Sequence, residues 1–189
     1  FLGYRDSVMV DEPSNDDPTW FWQADLEEAS QRLAEILQRD EADILIGYDP
    51  HGVYGHPDHL KVHLVGARAA EIAGVDRVLW ATANRTMILQ AMEAGAFDEE
   101  GLDEDDRVDR SEFGMPEEEL THAIDVSAAL DRKRGSLMAH ASQINDESFF
   151  LAMPDDLFAM AFGTEWLVDA ARYQQSSRRH GELATSLFD

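Results

Sequence analysis

The chain has 189 residues, no cysteine, and a formal charge of −24 from 39 acidic and 15 basic side chains. That length fits a single domain over residues 1–189 with a core of its own. The absence of thiols excludes disulfides and thiolate metal sites, so any metal must use His, Asp, Glu or water, and the negative charge makes nucleic acid and anionic membranes poor partners.

No apolar run approaches the roughly 20 residues of a membrane span and no signal peptide is visible, so a cytoplasmic location is the default expectation. Lys61 and Lys133 stand beside thirteen arginines, a bias that concerns solubility rather than reaction. Residues 1–9 read as the end of a strand entering a loop. Residues 10–19, polar and carrying Pro13 and Pro18, read as irregular. Trp20, Phe21 and Trp22 form an aromatic cluster expected to pack beneath the helix that follows. From 24 to 39, Leu26, Ala29, Leu33, Ile36 and Leu37 recur at helical spacing. Residues 43–48 form a nearly continuous apolar strand of the kind buried in parallel sheets. Helical periodicity returns over 58–73 and stops at Gly74. Then come a strand over 77–83, a helix over 85–94, and an excursion over 97–114 with nine acidic residues, read as a solvated charge run. A strand over 120–126, helices over 128–141 and 155–162, and a short strand at 166–168 complete the chain. Alternating strands and helices predict an α/β fold, a Rossmann-like three-layer αβα arrangement with a mostly parallel sheet.

Chemistry concentrates between Tyr48 and His63, where four of seven histidines fall. The order is strand, Gly/Pro-rich loop, helix, and α/β proteins bind ligands at the carboxyl ends of strands. A catalytic zinc keeps three protein ligands and one open position; it lowers the pKa of bound water and polarises a carbonyl. His59, where a helix would begin, is the preferred ligand, and His56 the donor to an oxyanion or a leaving amine. Asp58 would orient an imidazole, and the Tyr54 hydroxyl would polarise a substrate carbonyl. Gly52 and Gly55 allow the tight turns between them. His63 shares a helical face with His59 but reads as a packing residue, because Leu60 stands where H-E-x-x-H has glutamate. His51 reads as a loop residue, and His122 and His180 as surface residues.

At G-V-Y-G-H-P-D-H, residues 52–59, the chain resembles the LmbE/PIG-L family of zinc-dependent N-acetylglucosaminyl deacetylases. L-G-Y-R-D-S-V-M at 2–9, A-H-A-S-Q at 139–143, Phe149-Phe150 and G-T-E-W at 163–166 extend the resemblance over roughly residues 1 to 168. It implies His59 as a zinc ligand (iron or manganese being alternatives) and His56 as oxyanion donor or acid. It further implies Asp58 as that histidine's support, Tyr54 as a mobile active-site tyrosine, and Asp6 as a substrate-pocket residue. His140 and Gln143 match late-helix positions without an assigned role. The implied reaction removes an N-acetyl group from an N-acetylglucosamine-like sugar conjugate, a small-molecule partner; a homo-oligomer is compatible with the sequence.

Two departures stand out. The family's A-H-P-D-D-E motif, carrying two zinc ligands and the general base, is absent from this sequence, whose only H-P-D is at 56–58. The expectation is therefore that the N-terminal part of the fold is missing from this chain, which by itself would be inactive. A non-catalytic sugar- or partner-binding homologue, or half of a split enzyme, is the alternative. In addition, Val53 stands where the family often has a second glycine before tyrosine, and Val8 where it often has glycine.

Overall fold

A computed structural model describes residues 1–9, 13–95, 113–141, 144, 148–175 and 182–188. The helix α1 spans Leu26–Arg39, with Asp25 capping it by accepting from the Glu28 N–H and acidic residues in its first turn, both favourable at a helix N-terminus. Strand β1 (Ile44–Tyr48) runs into the short turn α2 (Gly52–Gly55) and then the helix α3 (Pro57–Ala73). Proline at the start of α3 and Gly74, with φ of 74°, after its last residue are the punctuation of a helix set by its own sequence. Beyond lie β2 (Arg77–Thr82), α4 (Arg85–Glu93), β3 (His122–Asp125), α5 (Leu130–Ala139), α6 (Phe149–Ala152), α7 (Asp155–Phe162), β4 (Thr164–Asp169) and α8 (Ala170–Gln175).

The architecture is α/β, built on a mixed sheet of order β1-β2-β4-β3 and compatible with a three-layer αβα arrangement. β1 and β2 pair in parallel as expected, whereas β4 is antiparallel to both of its neighbours. The described sheet is thus mixed rather than mostly parallel. Two apolar clusters hold it. Ala34, Leu37 and Ala69 join α1 to α3 above Leu45, where small residues let the helices approach closely. Trp80, Met115, Leu120 and Val168 form the second cluster, with Tyr173 of α8 against it. Among the described residues no helix is long and apolar enough to cross a membrane.

Three sequence expectations change. Residues 1–9 form no strand; Arg5 makes one isolated bridge to Trp20. Side chains satisfy the backbone here instead: Asp58 accepts from the Ser7 N–H, and Asn15 bonds both polar groups of Val8 and the Met9 carbonyl. The stretch thought irregular contains a short 3₁₀ turn, Pro13–Asp16. Trp20 is buried, but the cluster's contacts run to the N-terminal segment and α3 rather than to the helix that follows it, with Phe21 against Tyr4, Arg5 over Trp20 and Lys61 of α3 over Trp22. Of the acidic excursion, residues 97–112 lie outside the described residues.

Candidate functional site

The β1–β2 register sets Tyr48 opposite Ala81, so the carboxyl ends of two parallel strands coincide. Asp49, the first residue beyond β1, is fully buried there. Its Oδ1 accepts from the N–H groups of His51 and Val53, both at 2.9 Å, and its Oδ2 accepts from the Thr82 hydroxyl at 2.5 Å. One carboxylate thereby shapes the loop and ties it to β2. Inside the turn, Val53 adopts φ 64° and ψ −52°. A β-branched residue rarely occupies that region, and holding one there costs about 1–3 kcal/mol. Val53→Gly is therefore expected to raise stability by about 1 kcal/mol, the released strain outweighing the added freedom of the unfolded chain. Urea denaturation checks this; a loss of stability would mean that Val53 is not strained. Gly52 has a different constraint, since a Cβ there would sit 2.9 Å from His59 Cβ.

His56 caps α3. Its Nδ1 accepts from the Asp58 N–H at 3.1 Å, which requires a lone pair on that nitrogen and leaves the ring proton on Nε2. His59 has the opposite arrangement. Its Nδ1–H donates to the Gly52 carbonyl at 3.1 Å, leaving the Nε2 lone pair free, as in a metal-ligating imidazole whose other nitrogen is anchored. Burial lowers the His59 pKa, an effect partly offset by the Gly52 hydrogen bond, so the ring is neutral at neutral pH. Tyr48 stacks on His59 with centroids 4.0 Å apart, and Tyr54 meets the same ring edge-on at 5.0 Å. The His56 and His59 rings lie 5.1 Å apart. Burial, then the nearby Tyr48 and Asp6, raise the Tyr54 pKa, which keeps its hydroxyl a donor. A donor imidazole, an acceptor imidazole and a phenol hydroxyl thus gather in one place.

Asp58 is buried, and its Oδ2 accepts from the Ser7 N–H at 2.8 Å. Its Oδ1 is buried without a fixed donor. Asp6 supplies the neighbour: its pKa is raised by a carboxyl–carboxyl hydrogen bond to Asp58, then by burial and by that residue's charge, while His56 and His59 oppose the shift. The structure therefore brings Asp6, Tyr54, His56, Asp58 and His59 together.

The other histidines divide. His63 donates from Nδ1 to the Tyr48 carbonyl at 3.0 Å and meets Trp80 edge-on, a packing role. His51 is exposed on the loop. His122, expected at the surface, is fully buried on β3 against Thr121 and Arg77; β3 is the edge of the described sheet, and the chain at Ala184 pairs along it and covers that edge. His140 is exposed and bonds the Ser136 carbonyl, while Gln143 and His180 lie outside the described residues. Sequence reasoning missed Tyr48, Asp49 and Ser7. The first two carry a recognisable signal, Tyr-Asp-Pro at a strand exit, where Asp favours a bonded turn.

His59 fits one ligand position of a zinc site. Among the described residues no three His, Asp or Glu side chains come together to hold a metal, so the described residues do not make a complete zinc site. Fold and site define an α/β protein whose imidazoles and carboxyls gather at the carboxyl ends of two parallel strands. No family model matches the chain. The chain is similar to proteins named 1D-myo-inositol 2-acetamido-2-deoxy-alpha-D-glucopyranoside deacetylase. It is 35% identical to the one from Thermomonospora curvata over 91% of this chain and 64% of that protein. It is 36% identical to that of Acidothermus cellulolyticus over 97% of this chain and 66% of that protein, and 34% identical to that of Nocardiopsis dassonvillei over 100% and 71%. The chain belongs to this family of deacetylases, which is of the LmbE/PIG-L type. It spans 64% and 66% of the length of the first two relatives.

Proposed function

We propose that the protein containing this chain is a metal-dependent amide hydrolase that removes the N-acetyl group from an N-acetylglucosamine-like sugar conjugate, releasing acetate and a free amine. The observation that carries this reading is the pairing of tautomers: His56 presents Nε2–H while His59, 5.1 Å away, presents a lone pair. The relatives' names support an acetamido sugar attached to inositol as substrate.

Residues 1–189 act in this reading as one unit of the catalytic domain. His59 Nε2 holds one coordination position of a zinc ion, the remaining ligands coming from outside the described residues; when bound, the metal supplies Lewis acidity and an activated water. As water oxygen adds to the amide carbon, negative charge develops on the carbonyl oxygen. His56 Nε2–H and the Tyr54 hydroxyl donate to it. Such preorganised donors are worth about 3–4 kcal/mol each. Asp58 holds His56 indirectly: its backbone N–H fixes the imidazole, and its carboxylate anchors the Ser7 backbone and hence Asp6. Asp6, exposed beside Asp58, is placed to accept from sugar hydroxyls. As the C–N bond breaks, the departing nitrogen takes the proton lost by the attacking water, while His56 keeps its Nε2 proton and supports the oxyanion.

The test is acetate release from 1D-myo-inositol 2-acetamido-2-deoxy-alpha-D-glucopyranoside by the full-length protein, with zinc and with a chelator. Zinc-dependent release is the expected result. Tyr54→Phe is expected to lower kcat by about 10²-fold with little change in KM, because its donor acts on the developing charge. No release, with retained sugar binding in calorimetry, would replace the enzyme by a binding homologue.

A further inference from the structure

We propose that Arg85 is a positioning residue for Tyr54, acting through the backbone of Phe113 and Gly114. The inference rests on the role proposed above for the Tyr54 hydroxyl. Tyr54 follows the strained Val53, and the turn is gripped from both sides. Asp49 accepts from the Val53 N–H, and the Gly114 N–H donates to the Val53 carbonyl at 2.6 Å. The Tyr54 ring itself stacks on Phe113, with centroids 6.3 Å apart and planes 16° from parallel. Whatever fixes residues 113 and 114 therefore fixes the turn and one face of the ring.

Arg85 does this. Its Nη2–H donates to the Gly114 carbonyl at 2.6 Å and its Nε–H to the Phe113 carbonyl at 3.3 Å. Its backbone N–H donates to the Met115 carbonyl, and the Met115 N–H to Ala83. Arg85 is the first residue of α4, capped by Asn84, and a cation there opposes the helix dipole. Its placement is accounted for by the carbonyls it reaches. Gly114 seats the segment: at φ 66° a Cβ would stand 2.3 Å from the Ala83 carbonyl oxygen. Arginine suits the task because its planar fork meets two carbonyls at once, which an ammonium cannot reproduce.

The test uses the full-length protein labelled with 3-fluorotyrosine, the Tyr54 resonance being identified by its loss in Tyr54→Phe. In Arg85→Ala the Tyr54 line is expected to shift and broaden while that of Tyr4 stays in place. An unchanged Tyr54 line in the folded variant would overturn the proposal. That readout needs no turnover, so it decides the matter even if the deacetylase reading fails through absent acetate release. In the rate assay, Arg85→Ala is expected to lower kcat about tenfold with KM within about threefold, as for a small misplacement of a reacting group. That loss is expected to vanish in a Tyr54→Phe background; an equal loss in both backgrounds would also overturn the proposal. Should Arg85→Ala not fold, Arg85→Lys, which keeps the charge but gives up the two-carbonyl contact, is read by the same criteria.

Discussion

His59→Ala in the full-length protein is expected to abolish stable metal retention and to slow amide hydrolysis by about 10³-fold or more, equivalent to about 4 kcal/mol of transition-state stabilisation. The reason lies in how the ring is held. Its Nδ1–H is committed to the Gly52 carbonyl, its face to Tyr48 and its edge to Tyr54. Only Nε2 is left to face a ligand, and burial keeps that nitrogen unprotonated at neutral pH. His63, one turn further along α3, is the control. Its Nδ1–H is bound to the Tyr48 carbonyl and its ring lies against Trp80, so His63→Ala is expected to cost stability without emptying the metal site. Metal content by atomic spectroscopy together with turnover separates the two. Undiminished metal and rate in His59→Ala would remove His59 from the site.

The largest stability effect is expected at Asp49, with Asp49→Ala lowering unfolding free energy by about 3 kcal/mol. The substitution strands the Thr82 hydroxyl and the N–H groups of His51 and Val53, and each buried polar group deprived of a charged partner costs about 1–3 kcal/mol. Asp49→Asn keeps an acceptor for the two N–H groups and can donate to the Thr82 oxygen, so about 1 kcal/mol is the expected loss. Urea midpoints at constant slope measure both. A change below about 0.5 kcal/mol in Asp49→Ala would show that the loop holds its shape without the carboxylate, contrary to what its burial implies. Because the same loop carries Tyr54, the alanine variant is expected to lose activity as well.

These residues show where sequence reading succeeds and where it stops. Helices α1 and α3 and strands β1 and β2 were legible because periodicity, caps and stop signals are written within a few residues of one another. Gly74 ends α3 by its own conformational freedom, and Asp25 starts α1 by reaching three residues ahead. The cluster at 54–59 was legible for the same reason: one turn carries two imidazoles, a carboxylate and a phenol. Their tautomers were not, since each depends on which backbone group meets each ring nitrogen.

By itself, then, the sequence determined the α/β class, the gathering of imidazoles, carboxyls and a phenol after β1, and the residue types available there. Tertiary structure alone decided the antiparallel course of β4, the burial of His122, the bond from Ser7 to Asp58, and the grip of Arg85 and Gly114 on the Tyr54 turn. The physical reason is separation along the chain. Ser7 and Asp58 are 51 residues apart, and Asp49 and Thr82 are 33 apart. No local period announces such a partner, and the contact exists only once packing of the sheet and helices has brought the two segments together.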